Sequence, residues 1–492
     1  MKVESSILIL KTANQNLSYF FMVLTLFLYV SCQNETSIKT ADSELRIDTD
    51  ELIRLVGEAY VFAYPLVLMD LTKNVSTNVD RPNPERALSP VNQLGHYREF
   101  PDHTMTSVVK PNVDTYYSIA WLDLSDEPQV LFMPATERYY LLPFYDAYTN
   151  VFASPGTRTS GTAAQQFMIV GPNWEGHVPE EFQLIRAPTE LVWMIGRIQV
   201  NSQEDGNTTV REIQDGMRLI PISALGKKDY VAPKGMVKKE YENLIPSKAI
   251  GDMDVNTFLN RAALMMAKNP PKSADSTILK RLTKIGFYPG RPFQLTTDNV
   301  IVKSKFMALP KVIHKRMAAR RDNPDISLMT NGWRLITEGL GSYGTDYPKR
   351  AYVDFVGLGA NWVEDTVYPT CVFDSNGDPL DARKSYKLQF KPNELPPVNA
   401  FWSITAYNAD EFLVENELNR FALGDRDPLQ YNNDGSLDIY IQNKRPDNRL
   451  LSNWLPVPES GRFTLTMRLY WPKEDVLDGI WKPPFLIRSD PN

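Results

Sequence analysis

Cysteine is almost absent: Cys32 and Cys371 are the only two in 492 residues. One such pair builds neither a disulfide framework nor a cysteine-based zinc site. Histidine is scarce, with only His96, His103, His177 and His314, so a histidine-rich metal centre is not expected. An excess of positive charge is also missing. Lys and Arg number 53 against 59 Asp and Glu, a net charge of -6. A nucleic-acid partner needs a basic face to neutralise phosphates, so that class is set aside. An anionic small substrate is not excluded, because a pocket can be basic inside an acidic chain. The sequence holds no glycine-rich phosphate loop, no dinucleotide fingerprint, no zinc-protease helix and no nucleophile elbow. No cofactor and no metal are therefore expected.

What is present is ordinary globular material rich in rings. Hydrophobic residues make up 43%, charged residues 23% and aromatics 11%, with 23 Tyr and 9 Trp. The length suits two domains rather than one core. Aromatic side chains suit strands, and they also suit stacking on sugar rings.

The N-terminus points to export. Lys2, Glu4 and Lys11 are followed by an apolar run from Phe20 to Val30 that ends in Leu28-Tyr29-Val30-Ser31-Cys32. A short apolar stretch with a small residue before Cys is the pattern of a bacterial lipoprotein signal, cut before a Cys that then carries lipid. A plain signal peptide or an uncleaved anchor are the alternatives, although the run is short of the about 20 residues that a spanning helix needs. This division gives a signal at 1–31, lipidation at Cys32 and a polar tether at 32–47.

The body begins with a helix. Asp48 is a candidate cap with Glu51 three residues on. Leu52, Leu55, Val56, Ala59 and Ala63 repeat at helical spacing, and Pro65 is expected to end or kink the helix. Short strands follow: Tyr117–Leu122, Val130–Met133, Tyr139–Phe144, Phe167–Val170 and Leu191–Val200. Apolar stripes at Val255–Met266, Ile278–Ile285 and 298–318 predict helices. Strands return at Tyr386–Phe390, Ala400–Tyr407, Leu437–Gln442 and Phe463–Tyr470, with hairpin signals at Asn376-Gly377 and Asp434-Gly435. The predicted fold is α+β, mainly β. Two β-sandwich or jelly-roll-like domains (48–235 and 326–492) are joined by a helical connector at 236–325.

Several residues are candidates for chemistry. In Lys110-Pro111-Asn112-Val113-Asp114-Thr115-Tyr116-Tyr117, strand alternation puts Asn112, Asp114 and Tyr116 on one face. That face could floor a pocket, or the segment could be a turn whose Asp caps backbone amides. In Asn399-Ala400-Phe401-Trp402-Ser403-Ile404-Thr405-Ala406-Tyr407, Phe401, Ser403, Thr405 and Tyr407 share a face and Trp402 takes the other, with core packing as the plain alternative. Arg334, Arg420 and Arg426 lie in loop-like settings where a guanidinium fork holds a carboxylate. Asp374, Asp378 and Asp381, and likewise Asp425, Asp427 and Asp434, fit turns better than a calcium loop. Cys371, in a strand-like run, fits a buried structural thiol.

Two sets of motifs carry a resemblance. Pro111-Asn112-Val113-Asp114-Thr115-Tyr116-Tyr117-Ser118, Tyr139-Tyr140-Leu141-Leu142-Pro143 and Thr149-Asn150-Val151-Phe152-Ala153-Ser154-Pro155-Gly156 form the first. Gly344-Thr345-Asp346-Tyr347, Pro396-Pro397-Val398-Asn399-Ala400-Phe401-Trp402-Ser403, Asn419-Arg420-Phe421, Gly424-Asp425-Arg426-Asp427-Pro428 and Tyr470-Trp471-Pro472-Lys473 form the second. Together they resemble a bacterial family of two tandem domains of unknown function, DUF1254 and DUF1214, over about residues 50 to 485. The chain also resembles lipoproteins of this type that dehydrate oligosaccharides during breakdown of the algal polysaccharide ulvan. That resemblance implies a carbon-oxygen lyase acting on a uronate-containing oligosaccharide without a cofactor. Such a reaction needs a base for the proton beside the carboxylate, a cation or amide to hold that carboxylate, and an acid for the leaving hydroxyl. By residue type, His96, His103, Tyr116 and Tyr145 are the acid and base candidates. Asn112, Asp114, Asn399, Trp402 and Arg420 are the binding candidates. The expected place is the periplasm or cell surface, anchored to the outer membrane through the lipid only, with a homo-oligomer left open. The competing class is a non-catalytic lipoprotein that binds glycan or another envelope component.

Overall fold

The computed structural model describes residues 35–106, 108–320 and 327–489. The signal and Cys32 lie outside them. Residues expected as tether are folded. Strands Glu35–Thr40 and Glu44–Asp48 pair antiparallel, the first also pairs with Leu295–Thr296, and Ile38 is fully buried.

The first helix spans Thr49–Ser76, and the Asp48 carboxylate accepts from the amides of Asp50 and Glu51 as its spacing predicts. Pro65 neither ends it nor stops its burial. An internal proline costs roughly 3 kcal/mol. Leu66, Val67, Leu68, Met69 and Leu71 beyond it are all buried, and each such side chain returns about 1.5–3 kcal/mol. Burial wins, and the helix continues. This helix is long and apolar enough to cross a membrane, but 72% of its most apolar window is buried inside the fold. It is a core helix.

The first β body is a sandwich. One sheet carries Thr115–Asp123, Leu191–Gln199, Phe144–Tyr145 and their neighbours. The other carries Gln129–Met133 and Gln165–Val170. Between them lie Ala120, Leu122, Val192, Met194, Leu131, Met133, Phe167 and Ile169. The second body repeats the plan. Strands Val398–Asn408 and Phe463–Pro472 centre the larger sheet, Ser385–Phe390 and Leu437–Gln442 the smaller. Trp402, Ile404, Met467, Leu469, Leu388 and Ile439 fill the space between. The α+β, mainly β class holds, with five sheets and no closed barrel among the described residues. Cys371 is fully buried, and burial pushes its thiol well up, as befits a structural residue. Asp374 serves a turn and pairs with Arg488.

The helices of the 236–325 region do not stand alone. Helices Pro246–Asp252, Val255–Met265 and Val300–Ala319 pack with Tyr347–Gly357 on the first helix. That shared core takes in Trp121, Tyr145 and Trp193 from the open face of the first sandwich. Helices thus cover part of one sheet face and leave its far end to the second domain.

Inside this layer lies Asp354, 2% exposed, accepting from Thr149 Oγ1 at 2.9 Å. Burial pushes its carboxyl up to about 8 against the opposing pull of Thr149 and Arg350. An acid whose folded-state value exceeds its unfolded value holds its proton more tightly when folded. Stability is therefore highest below about pH 4 on this group's account and falls as pH rises toward 8. Asp354→Asn is expected to remove that fall, worth at most about 6 kcal/mol. Melting curves of both proteins from pH 5 to 8.5 check it; parallel curves would contradict it.

Candidate functional site

The two β bodies meet on the outer face of the second domain's larger sheet. Residues alternate across a strand, so Phe401, Ser403, Thr405 and Tyr407 point away from the core that holds Trp402, Ile404 and Ala406. Opposite them stands the turn Pro111–Asp114. Asp114 is fully buried and receives Ser403 Oγ at 2.7 Å, the Arg426 guanidinium in a very short contact, and Arg468 at 3.9 Å. Arg468 also donates to Thr405 Oγ1 and the Tyr407 hydroxyl, and Arg426 to the carbonyl oxygens of Asp114 and Val200. One carboxylate and two arginines thus close the domain interface as a densely bonded network, with Arg426 Nε left without a hydrogen-bond partner.

Next to this lock lies a part-exposed polar cluster, here called the cleft, around an unmatched cation, Arg197. Arg197 on Leu191–Gln199 sits directly across from Tyr117 on Thr115–Asp123, its guanidinium carbon 5.1 Å from the ring centre. Its Nη1 donates to the Ile195 carbonyl and to Asn361 Oδ1, both at 3.1 Å. Its Nε is buried without a hydrogen-bond partner, and no carboxylate lies within ion-pair distance, among the described residues. Both domains supply the surroundings. The Tyr145 hydroxyl donates to Asn361 Oδ1 at 2.9 Å, and Asn361 Nδ2 donates to the Tyr368 hydroxyl at 3.2 Å. The Tyr470 hydroxyl accepts from Asn112 Nδ2 at 2.8 Å. Tyr117, Arg197 and Tyr368 keep part of their surface exposed, while Tyr145, Asn361 and Tyr470 are buried. Burial raises the Tyr145, Tyr368 and Tyr470 hydroxyls above the ordinary phenol value, and Arg197 opposes this at Tyr145 and Tyr368. At neutral pH these three phenols are proton donors around a lone guanidinium.

Local backbone holds Asn361 in place. Helix Tyr347–Gly357 is followed by Leu358 and Gly359, both at positive φ, 56° and 114°. A non-glycine residue there costs roughly 1–2 kcal/mol. At Gly359 a Cβ would come 3.2 Å from the Tyr145 ring, so only glycine lets the chain pass that ring and reach Asn361.

The structure unites only some of the expected residues. Tyr145 and Asn112 reach the cleft, the latter through Tyr470. Asp114 is beside it but neutralised in the lock. Tyr116 points the other way, buried 5.1 Å from Phe100 in the first sandwich; the strand's parity gives the cleft Tyr117 instead. His96 faces Ser118, with Nδ1 2.9 Å from its Oγ. That is the same side as Tyr116, away from Arg197. Burial, aided by Arg98, lowers His96 to about 4. His103 stands in an outer loop, 4.0 Å from Glu415. Trp402 is 2% exposed in the second core, Asn399 is exposed at a strand irregularity, and Arg420 is spent on the carbonyls of Leu451 and Trp454. None of these six touches the cleft cluster.

The family described as a protein of unknown function, DUF1254, matches residues 91–221, and a second, DUF1214, matches 365–474. The chain is a tandem DUF1254–DUF1214 protein. Tyr117, Tyr145 and Arg197 fall in the DUF1254 part, Tyr368 and Tyr470 in the DUF1214 part, so the cleft exists only where the two meet. No curated protein matches the chain. Among solved structures, the VPA0106 protein of Vibrio parahaemolyticus is 24% identical with a TM-score of 0.64, over 89% of this chain and 100% of its own. An uncharacterised Burkholderia cenocepacia protein is 12% identical with a TM-score of 0.42, over 90% and 94%. The Vibrio likeness shows that the two chains share a fold.

Proposed function

We propose that this protein is a hydro-lyase that removes water from a uronate-bearing oligosaccharide, with the Arg197 cleft as its active site. One observation carries the reading: a guanidinium with no carboxylate of its own, ringed by phenols and one amide from both domains. A uronate carboxylate supplies the missing charge and accepts planar, paired hydrogen bonds. Holding it at Arg197 lowers the cost of charge that builds when the neighbouring C–H proton leaves. Tyr117, as the phenolate whose charge the same guanidinium would balance, takes that proton. Tyr368, already accepting from Asn361 and so free to donate, protonates the departing hydroxyl. A C–H and a C–O bond break, a C=C bond forms, and one water leaves; no redox partner is required. As a lipid-anchored protein of the periplasm or cell surface, it would meet such oligosaccharides outside the cytoplasm.

The test is incubation of the purified chain with oligosaccharides ending in glucuronate. Mass spectrometry follows the loss of one water, and absorbance follows the conjugated enol-uronate. Loss of water from wild type but not from Tyr368→Phe supports the lyase. Retention on the glycan with no mass change assigns a binding lipoprotein instead.

A further inference from the structure

The helix Val300–Ala319 presents an unusual outer face. From Val300 to Arg320 it contains Lys303, Lys305, Lys311, Lys315, Arg316 and Arg320 and no acid, in a chain whose net charge is -6. Its inner stripe, Val302, Leu309, Ile313 and Met317, is buried in the helical core. Its outer side exposes Val300 (76%), Ile301 (66%), Met307 (81%) and Val312 (40%). At 100° per residue these fall on one arc with Lys311 and Lys315, flanked by Lys303 on one edge and Lys305 on the other. Lys305 lies 3.4 Å from Asp50, and Asp252 is near Lys311. Among the described residues no carboxylate is within ion-pair distance of Lys303, Lys311, Lys315 or Arg316.

The chain's entry point adds an independent observation. Asn299, which caps this helix, donates to Thr36 Oγ1 at 2.9 Å, and Lys39 and Thr40 pair with Thr296 and Leu295. The described chain thus begins beside the helix's exposed apolar end. Cys32 precedes Glu35 by three residues, a reach of at most about 10 Å. A lipid on Cys32 would be tethered within that reach of Glu35, whose neighbour Thr36 bonds the Asn299 cap of this helix.

We infer that the outer face of Val300–Ala319 lies on the anionic surface of the bilayer that holds the anchor. Its apolar residues dip into the headgroup layer and its lysines meet anionic lipid. A basic contact adds hold and a fixed orientation to a lipid anchor. The protein would then be tied by anchor and helix together and held in one orientation.

The experiment uses the full processed chain in vesicles of phosphatidylethanolamine and phosphatidylglycerol. A nitroxide is placed at Met307→Cys or, as the control, at Ile480→Cys, which is equally open to solvent in the second domain (72%); buried Cys371 does not compete. Collision with a water-soluble nickel chelate is expected to fall several-fold at 307 and not at 480. Reversing Lys303, Lys311 and Lys315 to Glu should restore it. Equal nickel access at both sites overturns the inference. If the chain proves unlipidated, flotation with anionic vesicles at low salt and release at high salt still support the helix contact, and no flotation refutes it.

Discussion

Arg197→Gln should lower kcat/KM on a uronate-ended oligosaccharide by about 10²–10³, the usual loss when a preorganised charge-stabilising donor is removed. The same substitution should not weaken the fold. Arg197 is a partly buried cation with no carboxylate beside it, and keeping such a charge costs folding energy. Gln retains a donor for Asn361 Oδ1 and the Ile195 carbonyl, so the melting temperature should stay level or rise by a few degrees. Loss of activity with equal or greater stability marks a residue kept for its ligand rather than for the fold. A variant that melts well below wild type would make Arg197 a structural residue and remove the basis of the proposed chemistry.

Asp114→Asn should do the reverse. It leaves Arg426 and Arg468, with 15% and 4% of their side chains exposed, without their shared counter-charge. Breaking one partner out of a buried ionic cluster costs about 3–5 kcal/mol. At roughly 2–4 °C per kcal/mol for domains of this size, melting should fall by about 6–20 °C. Because the cluster joins the two β bodies, calorimetry should also resolve two transitions where wild type gives one. Ser403→Ala removes only one neutral donor and should cost about 1 kcal/mol. An Asp114→Asn protein that melts as wild type does would show that the bodies are held together by apolar contacts alone, such as Tyr139 and Leu141 on Phe401 and Tyr470.

Much of the fold was legible because local signals and burial agree. The Asp48 cap, the paired strands and the three apolar helical stripes all follow from spacing. Pro65 does not end the helix because the loss of one backbone hydrogen bond is local, while the burial that overrides it depends on partners distant in sequence. The site was harder to see. Alternation gave the right faces for Phe401 to Tyr407, but in Asn112–Tyr117 the turn geometry put Tyr117 rather than Tyr116 toward the cleft. Asn361 carries no local signal at all; only the fold brings it between Tyr145 and Tyr368. Arg197 did leave a trace: one charge inside Val192-Trp193-Met194-Ile195-Gly196-Arg197-Ile198, an otherwise apolar strand. A lone arginine in such a run needs either a buried acid or a ligand, and no acid lies beside it among the described residues.

A crystal structure of the chain soaked with a glucuronate-ended oligosaccharide addresses the unmatched guanidinium directly. The sugar carboxylate should lie within about 3 Å of the Arg197 nitrogens, with the Tyr117 and Tyr368 hydroxyls on the reacting carbons. A uronate held anywhere else, with Arg197 untouched, would contradict the assignment.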